Sequence, residues 1–208
     1  MLKHALPQGF SLVELMIAST LSLLLLGAAL HLHGLNAATF RLVRSEHLLQ
    51  AELGRLLAFV RDEARRAGFR AGEGPPLYAP GGQSLVLDAA PGEAAGSCLL
   101  YAYDRNGDGR LGIGREGRFL PGSNRSNLEQ FGIRLHRGRL QVRLGGKRHA
   151  CDGGRWADWS APELRILRFH LQRRQDPASG RTWLRITLEG AVDSNTLALE
   201  TETWLPNE

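Results

Sequence analysis

Lysine is almost absent from this chain of 208 residues: of its 26 Lys and Arg residues, only Lys3 and Lys147 are lysines. The net charge of +5 therefore rests on arginine. Net charge alone speaks to solubility and non-specific binding, so we read it as an arginine-rich composition and not as a nucleic-acid or lipid site. Cysteine is equally sparse. Cys98 and Cys151 are the only two, they lack metal-ligand spacing, and no C-x-x-C occurs, which excludes the familiar zinc and dithiol motifs. Also missing are a nucleophile elbow, an H-E-x-x-H helix and a Walker loop. Gly107-Asp-Gly-Arg-Leu-Gly112 spells G-x-G-x-x-G, but it lies in an acidic turn with no helical pattern after it. Tight-turn glycines account for it better than a dinucleotide site. The acidic residues form no recognisable catalytic pair, so no enzyme is expected. There is no internal repeat and no low-complexity tract, and the length fits one domain or a small domain with an appendage.

What the chain does have is one long apolar run. Leu15 to Leu30 carries no charge. With Phe10 to Val13 and Leu32 the span reaches about 20 residues, enough to cross a hydrocarbon core of roughly 30 Å. A single carboxylate, Glu14, sits near its start, and an ionisable group in such a segment is a functional-site candidate by default. The nine residues before it are too short for a secretory signal, whose apolar region would precede the cut. Lys3 precedes the span while Arg41 and Arg44 follow it, so charge counting leaves the orientation open. His31 and His33, two residues apart, lie on different helix faces and read as interfacial residues.

The helical pattern continues beyond the span. Phe40, Val43, Leu48, Leu49, Leu53, Leu56, Leu57 and Val60 recur near helical spacing with charges between them. Arg65 and Arg66 suit a helix C-terminus, and Gly68 a C-cap. A helix from Phe10 to Ala67 would be about 87 Å long. Gly72 to Gly82 is rich in Gly and Pro and reads as loop. Short strands follow at 84–87, 98–103, 133–136, 139–144, 164–171, 183–188 and 197–204, with Arg137-Gly138 as the turn of a hairpin. One long helix followed by a run of strands predicts an α+β fold, the helix packed on an antiparallel β-sheet.

Gly9-Phe10-Ser11-Leu12-Val13-Glu14, with the aliphatic tail behind it, resembles the class III leader and first helix of type IV prepilins. Glu63-Ala-Arg-Arg-Ala-Gly-Phe-Arg70 and the stretch from Cys98 to Gly109 resemble PilW-type minor pilins, also described as prepilin peptidase-dependent proteins. The resemblance implies a leader over 1–9, a transmembrane helix over 10–33, an amphipathic continuation over 34–68 and a periplasmic β-rich head over 69–208. It implies cleavage after Gly9 by a prepilin peptidase, N-methylation of Phe10, and a role for Glu14 in setting register against a neighbour's N-terminal amine. The implied function is a minor pilin that primes type IV pilus assembly, held in the inner membrane with its N-terminus cytoplasmic. Its implied partners are the peptidase, other minor pilins, the major pilin, the assembly platform and the lipid bilayer. A J-like minor pseudopilin of type II secretion would share the leader and helix, and a tip protein binding DNA or surfaces is a further alternative.

Three features of the head stand out. Asp104-Arg-Asn106-Gly-Asp108-Gly opens like an EF-hand loop, and alternate oxygen side chains suit calcium. The twelfth position is Arg115 where a bidentate glutamate is expected, with Glu116 one place late, so a turn rich in Asp, Asn and Gly stands beside a weak calcium site held by Asp104, Asn106 and Asp108; no cofactor is required. Cys98 and Cys151 are either buried thiols or, in an oxidising compartment, one disulfide. Arg134, Arg137, Arg139, Arg143, Lys147 and Arg148 make the hairpin region basic, which we read as a solvated or partner-facing surface, with nucleic acid disfavoured.

Overall fold

In a computed structural model of the chain, the residues described are 11–77, 82–109, 129–146 and 148–208. Helix α1 spans Leu12–Arg66, an uninterrupted stretch without proline. The chain divides into two compact units, Met1–Arg44 and Ser45–Glu208. In the first, Leu12–Gly34 is long and apolar enough to cross a membrane, and its side chains are exposed. In the second, Leu49, Leu53, Leu56, Val60 and Ala64 are buried. Their spacing of three and four residues makes one apolar stripe. Burying each large aliphatic side chain stabilises by about 1.5–3 kcal/mol, so packing, more than propensity, holds this part of the helix.

The stripe is covered by strands in two antiparallel sheets. The first has five strands in the order β1 (Leu85–Asp88), β2 (Cys98–Ala102), β3 (Gln130–His136), β4 (Arg139–Gly145) and β5 (Arg155–Asp158). The second has three: β6 (Arg165–Gln175), β7 (Thr182–Val192) and β8 (Asn195–Trp204). The β3–β4 hairpin turns on Arg137 and Gly138, with φ of 50° and 73°, the positive pair a two-residue type I′ turn requires. Leu99, Tyr101, Ile133 and Leu140 of the first sheet and Ile166, Phe169, Leu184, Ile186 and Leu188 of the second join the helix stripe in one core.

The fold is α+β, and two sheets replace the single one expected. Strand β5 had no sequence signal: Arg-Trp-Ala-Asp is short, and its burial does not alternate. Strand β2 also departs from two-residue alternation, with all five residues buried. Leu99 and Tyr101 face the helix, while Cys98 and Leu100 pack with Ala90, Cys151 and Trp156. A strand buried on both faces reads as an unbroken apolar run, and Cys-Leu-Leu-Tyr-Ala is one.

Candidate functional site

The first turn of α1 is closed by its own side chains. The Ser11 N–H donates to Glu14 Oε2 at 2.9 Å, and the Val13 N–H donates to Ser11 Oγ at 3.3 Å. Serine at the cap with glutamate three residues on is a capping box, and a carboxylate there also complements the helix dipole. Glu14 therefore has a local partner, one that the S-x-x-E spacing could have revealed in the sequence. The hydroxyls of the apolar stretch are also satisfied internally: Ser19 donates to Met16 O, Thr20 to Ile17 O and Ser22 to Ala18 O, at 2.9, 2.9 and 2.7 Å. A segment in lipid needs this, because no water reaches it. Gly9 and Phe10 lie outside the described residues.

The far end of α1 meets strand β2. Tyr101 O–H donates to Glu63 Oε2 at 2.8 Å, and Arg66 pairs with Glu63 Oε1 at 2.6 Å. Burial first, then the Glu63 charge, pushes the Tyr101 phenol well above its ordinary value, so it stays a neutral donor. Phe131 stacks on Tyr101 and Tyr103, with ring centroids 5.5 and 4.4 Å away. Gly68 ends the helix at φ 79°. A Cβ there would lie 2.7 Å from that of Ser84 and 3.0 Å from that of Asn207, so the position requires glycine on two counts. The Gly68 N–H donates to Ala102 O, and the Asp104 N–H to Phe69 O. The segments 63–70 and 98–109, far apart in sequence, thus form one junction. Sequence reading named both segments but missed the Glu63–Tyr101 bond, because nothing in either segment signals its partner.

Asp104 fastens this junction. Its Oδ1 accepts from the N–H groups of Gly107 and Asp108, and its Oδ2 from those of Ala71 and Gly109, at 2.6 to 3.1 Å. Burial works to raise its pKa, but the four N–H donors outweigh this and hold the carboxyl below its ordinary 3.8. Asn106 donates to Asp108 Oδ2 at 3.0 Å. Buried Glu129 accepts from the N–H groups of Arg105 and Asn106 at 2.9 and 3.3 Å. Asp104, Asp108 and Glu129 each bring one oxygen within 4.8 Å of the others, so the cluster gathers Glu129, which sequence spacing did not point to. Each Asp104 oxygen already accepts two N–H bonds, which is the arrangement of a turn-organising carboxylate. Arg115 and Glu116 lie outside the described residues. Asp104→Asn, which turns an amide donor toward N–H groups, should cost about 2 kcal/mol, read as a lower denaturation midpoint at neutral pH. The wild-type advantage is present above pH 3.8 and should vanish as the pH falls through the lower folded pKa.

Three of the hairpin arginines work inward, against the expectation of a solvated basic face, while Arg137 and Arg148 are exposed as expected. Arg134 is buried, donates to Cys151 O at 2.7 Å and lies 4.3 Å over the Trp156 ring. Arg143 is buried and donates to the carbonyls of Gln130, Gly146 and Arg148. Arg139 gathers the carbonyls of Ser160, Ala161, Pro162 and Leu164. Lys147 lies outside the described residues. These side chains satisfy loop carbonyls, which alternation in the sequence could not distinguish from a wet face. Cys98 and Cys151 are joined in a disulfide.

His149 sits beside Arg143, with Nε2 against Phe131 O at 2.7 Å. Burial, with a smaller push from Arg143, lowers its pKa from 6.5 to about 4, and the Phe131 bond opposes that. The unfolded chain therefore takes up a proton that the fold refuses. Stability is full above pH 6.5 and falls as the pH drops toward about 4. A drop from pH 6.5 to about 5 should cost about 2 kcal/mol, seen as a falling urea midpoint whose slope flattens in His149→Gln.

Two family models match the chain. One, described as Prepilin peptidase-dependent protein B, matches residues 43–206. The other, described as the prokaryotic N-terminal methylation motif, matches residues 7–30. No curated protein and no solved structure matches the chain.

Proposed function

Since the chain belongs to the prepilin peptidase-dependent protein B family and is a type IV prepilin-like protein, we propose that it is a minor pilin that primes fibre assembly. The observation that carries this reading is a methylation motif over 7–30 on the same chain as the family's head over 43–206. A prepilin peptidase cuts after Gly9 and Phe10 is then methylated. The apolar helix holds the subunit in the inner membrane, N-terminus cytoplasmic and head periplasmic, until the assembly platform extracts it toward other minor pilins and the major pilin. Glu14, the fifth mature residue, exchanges the Ser11 N–H for a neighbour's amine and so sets register.

The capping box tempers the size of that effect. Glu14 is already hydrogen-bonded before assembly, so the exchange is worth the difference between two partners. Polar contacts between membrane helices are worth about 1–2 kcal/mol. Glu14→Ala should therefore leave cleavage at Gly9 intact and lower assembly by about tenfold, measured as surface pili by electron microscopy. Normal piliation in that variant would sink the register role. A clean deletion scored for both pili and secreted proteins tests the wider reading. Loss of pili with normal secretion supports the minor pilin, and intact pili with blocked secretion assigns the chain to a pseudopilin role.

A further inference from the structure

Strand β8 is an edge strand. The three-stranded sheet runs β6-β7-β8, and among the described residues no strand pairs with the outer side of β8. Asp193 and Ser194 join β7 to β8, with Val192 opposite Asn195 and an unshifted register down to Trp183 opposite Trp204. A two-residue turn makes its flanking pair hydrogen-bonded, so Asn195, Leu197, Leu199, Thr201 and Thr203 bond to β7. The N–H and C=O groups of Thr196, Ala198, Glu200, Glu202 and Trp204 then point outward along the edge.

Beside this edge lies a groove of about 630 Å³ between β8 and the helix, bordered by Glu46, Leu49, Gln50, Asn195, Leu197 and Leu199. Leu49 is buried, and Leu197 and Leu199 are only half-buried against the core, so the floor is apolar and incompletely covered. Asn195 closes one end by donating to Ser45 Oγ at 2.8 Å. On the outer face, Glu200 and Glu202 share the single guanidinium of Arg185, which leaves the edge acidic.

We propose that β8 and this groove accept an extended, basic segment of another pilin-like subunit as a fourth strand. This rests on the assembly reading above. Main-chain bonds to a free edge supply affinity and alternate side chains supply specificity. The added strand would place apolar residues toward Leu49, Leu197 and Leu199, and Lys or Arg on the outer face beside Glu200 and Glu202. Charge complementarity selects this occupant over a second copy. Antiparallel pairing of β8 with itself about Thr201 would set Glu200 opposite Glu202, and like charges opposite each other destabilise a sheet.

The test uses the full chain expressed in its host and purified from membranes in detergent. Ala198→Pro removes an outward N–H, which an edge strand tolerates. Glu200→Lys with Glu202→Lys reverses the charge without touching the backbone. Each should lower the recovery of prepilin-like partners, identified by mass spectrometry, by about tenfold, with little change in thermal midpoint. A photoreactive phenylalanine analogue in place of Thr196 should cross-link to an extended segment of such a partner. Unchanged recovery in the charge-reversed variant, or a cross-link to residues 110–128 of the same chain or to a second copy, would overturn the proposal. Wild-type chain that recovers no prepilin-like subunit at all would instead overturn the assembly reading.

Discussion

Replacing Glu63 with alanine is expected to cost the fold about 3 kcal/mol, most of it from a buried hydroxyl left without its acceptor. Tyr101 is 2% exposed, and its hydroxyl donates to Glu63. Without that acceptor a buried hydroxyl is stranded, at about 1–3 kcal/mol. The close pair with Arg66 is lost as well, but its guanidinium is open to water and such a pair is worth at most about 1 kcal/mol. Arg66 itself can turn to water, since its side chain is 57% exposed, so its charge adds no burial penalty. Glu63→Gln, which still accepts from Tyr101, should cost only about 1 kcal/mol. Thermal unfolding of the full chain in detergent checks this. The alanine variant should melt about 10 °C lower, and the glutamine variant should stay close to wild type. Equal losses would mean that charge, and not the acceptor, matters.

Removing the disulfide should lower stability by a similar amount. Cys98 and Cys151 are 53 residues apart in sequence, and closing a loop of that length is worth about 4 kcal/mol in the chain-entropy treatment. Both sulfurs sit within the small cluster on the outer side of β2, so Cys98→Ala with Cys151→Ala also leaves a gap there. Denaturant midpoints of the oxidised, reduced and doubly substituted chains separate these effects. The reduced and substituted chains should both fall, the substituted one further. Because both cysteines are buried, reductant should act only as fast as the region opens, which a time course of thiol labelling would show.

The legible parts of the fold are those whose signals are local. The apolar run and the stripe Leu49, Leu53, Leu56 and Val60 gave the helix, and Arg137-Gly138 gave the hairpin turn. What stayed hidden depends on partners distant in sequence. Whether Arg134 and Arg143 face water or loop carbonyls is decided by residues near Cys151 and Gln130, and no period in the strand reports it. Asp104 was visible as a turn residue, yet one of its donors, Ala71, belongs to a segment that only the fold brings to it. Ser11 is the opposite case: its spacing from Glu14 is a local signal, and the capping box follows from it directly.

The helix end also couples the two ends of the head's sequence. The carbonyl of Ala67 is capped by the Asn207 side-chain amide at 2.8 Å, across 140 residues of chain. Asn207 lies three residues past the end of β8, so this cap requires the β7–β8 hairpin in place. Contacts of such long sequence separation demand loop closure before they return any stabilisation, and they slow folding. Without the docked hairpin, the last turn of α1 lacks this cap. The helix end beside the junction of Glu63, Tyr101 and Gly68 is thus tied to the C-terminal segment, and loosening of the hairpin is felt there.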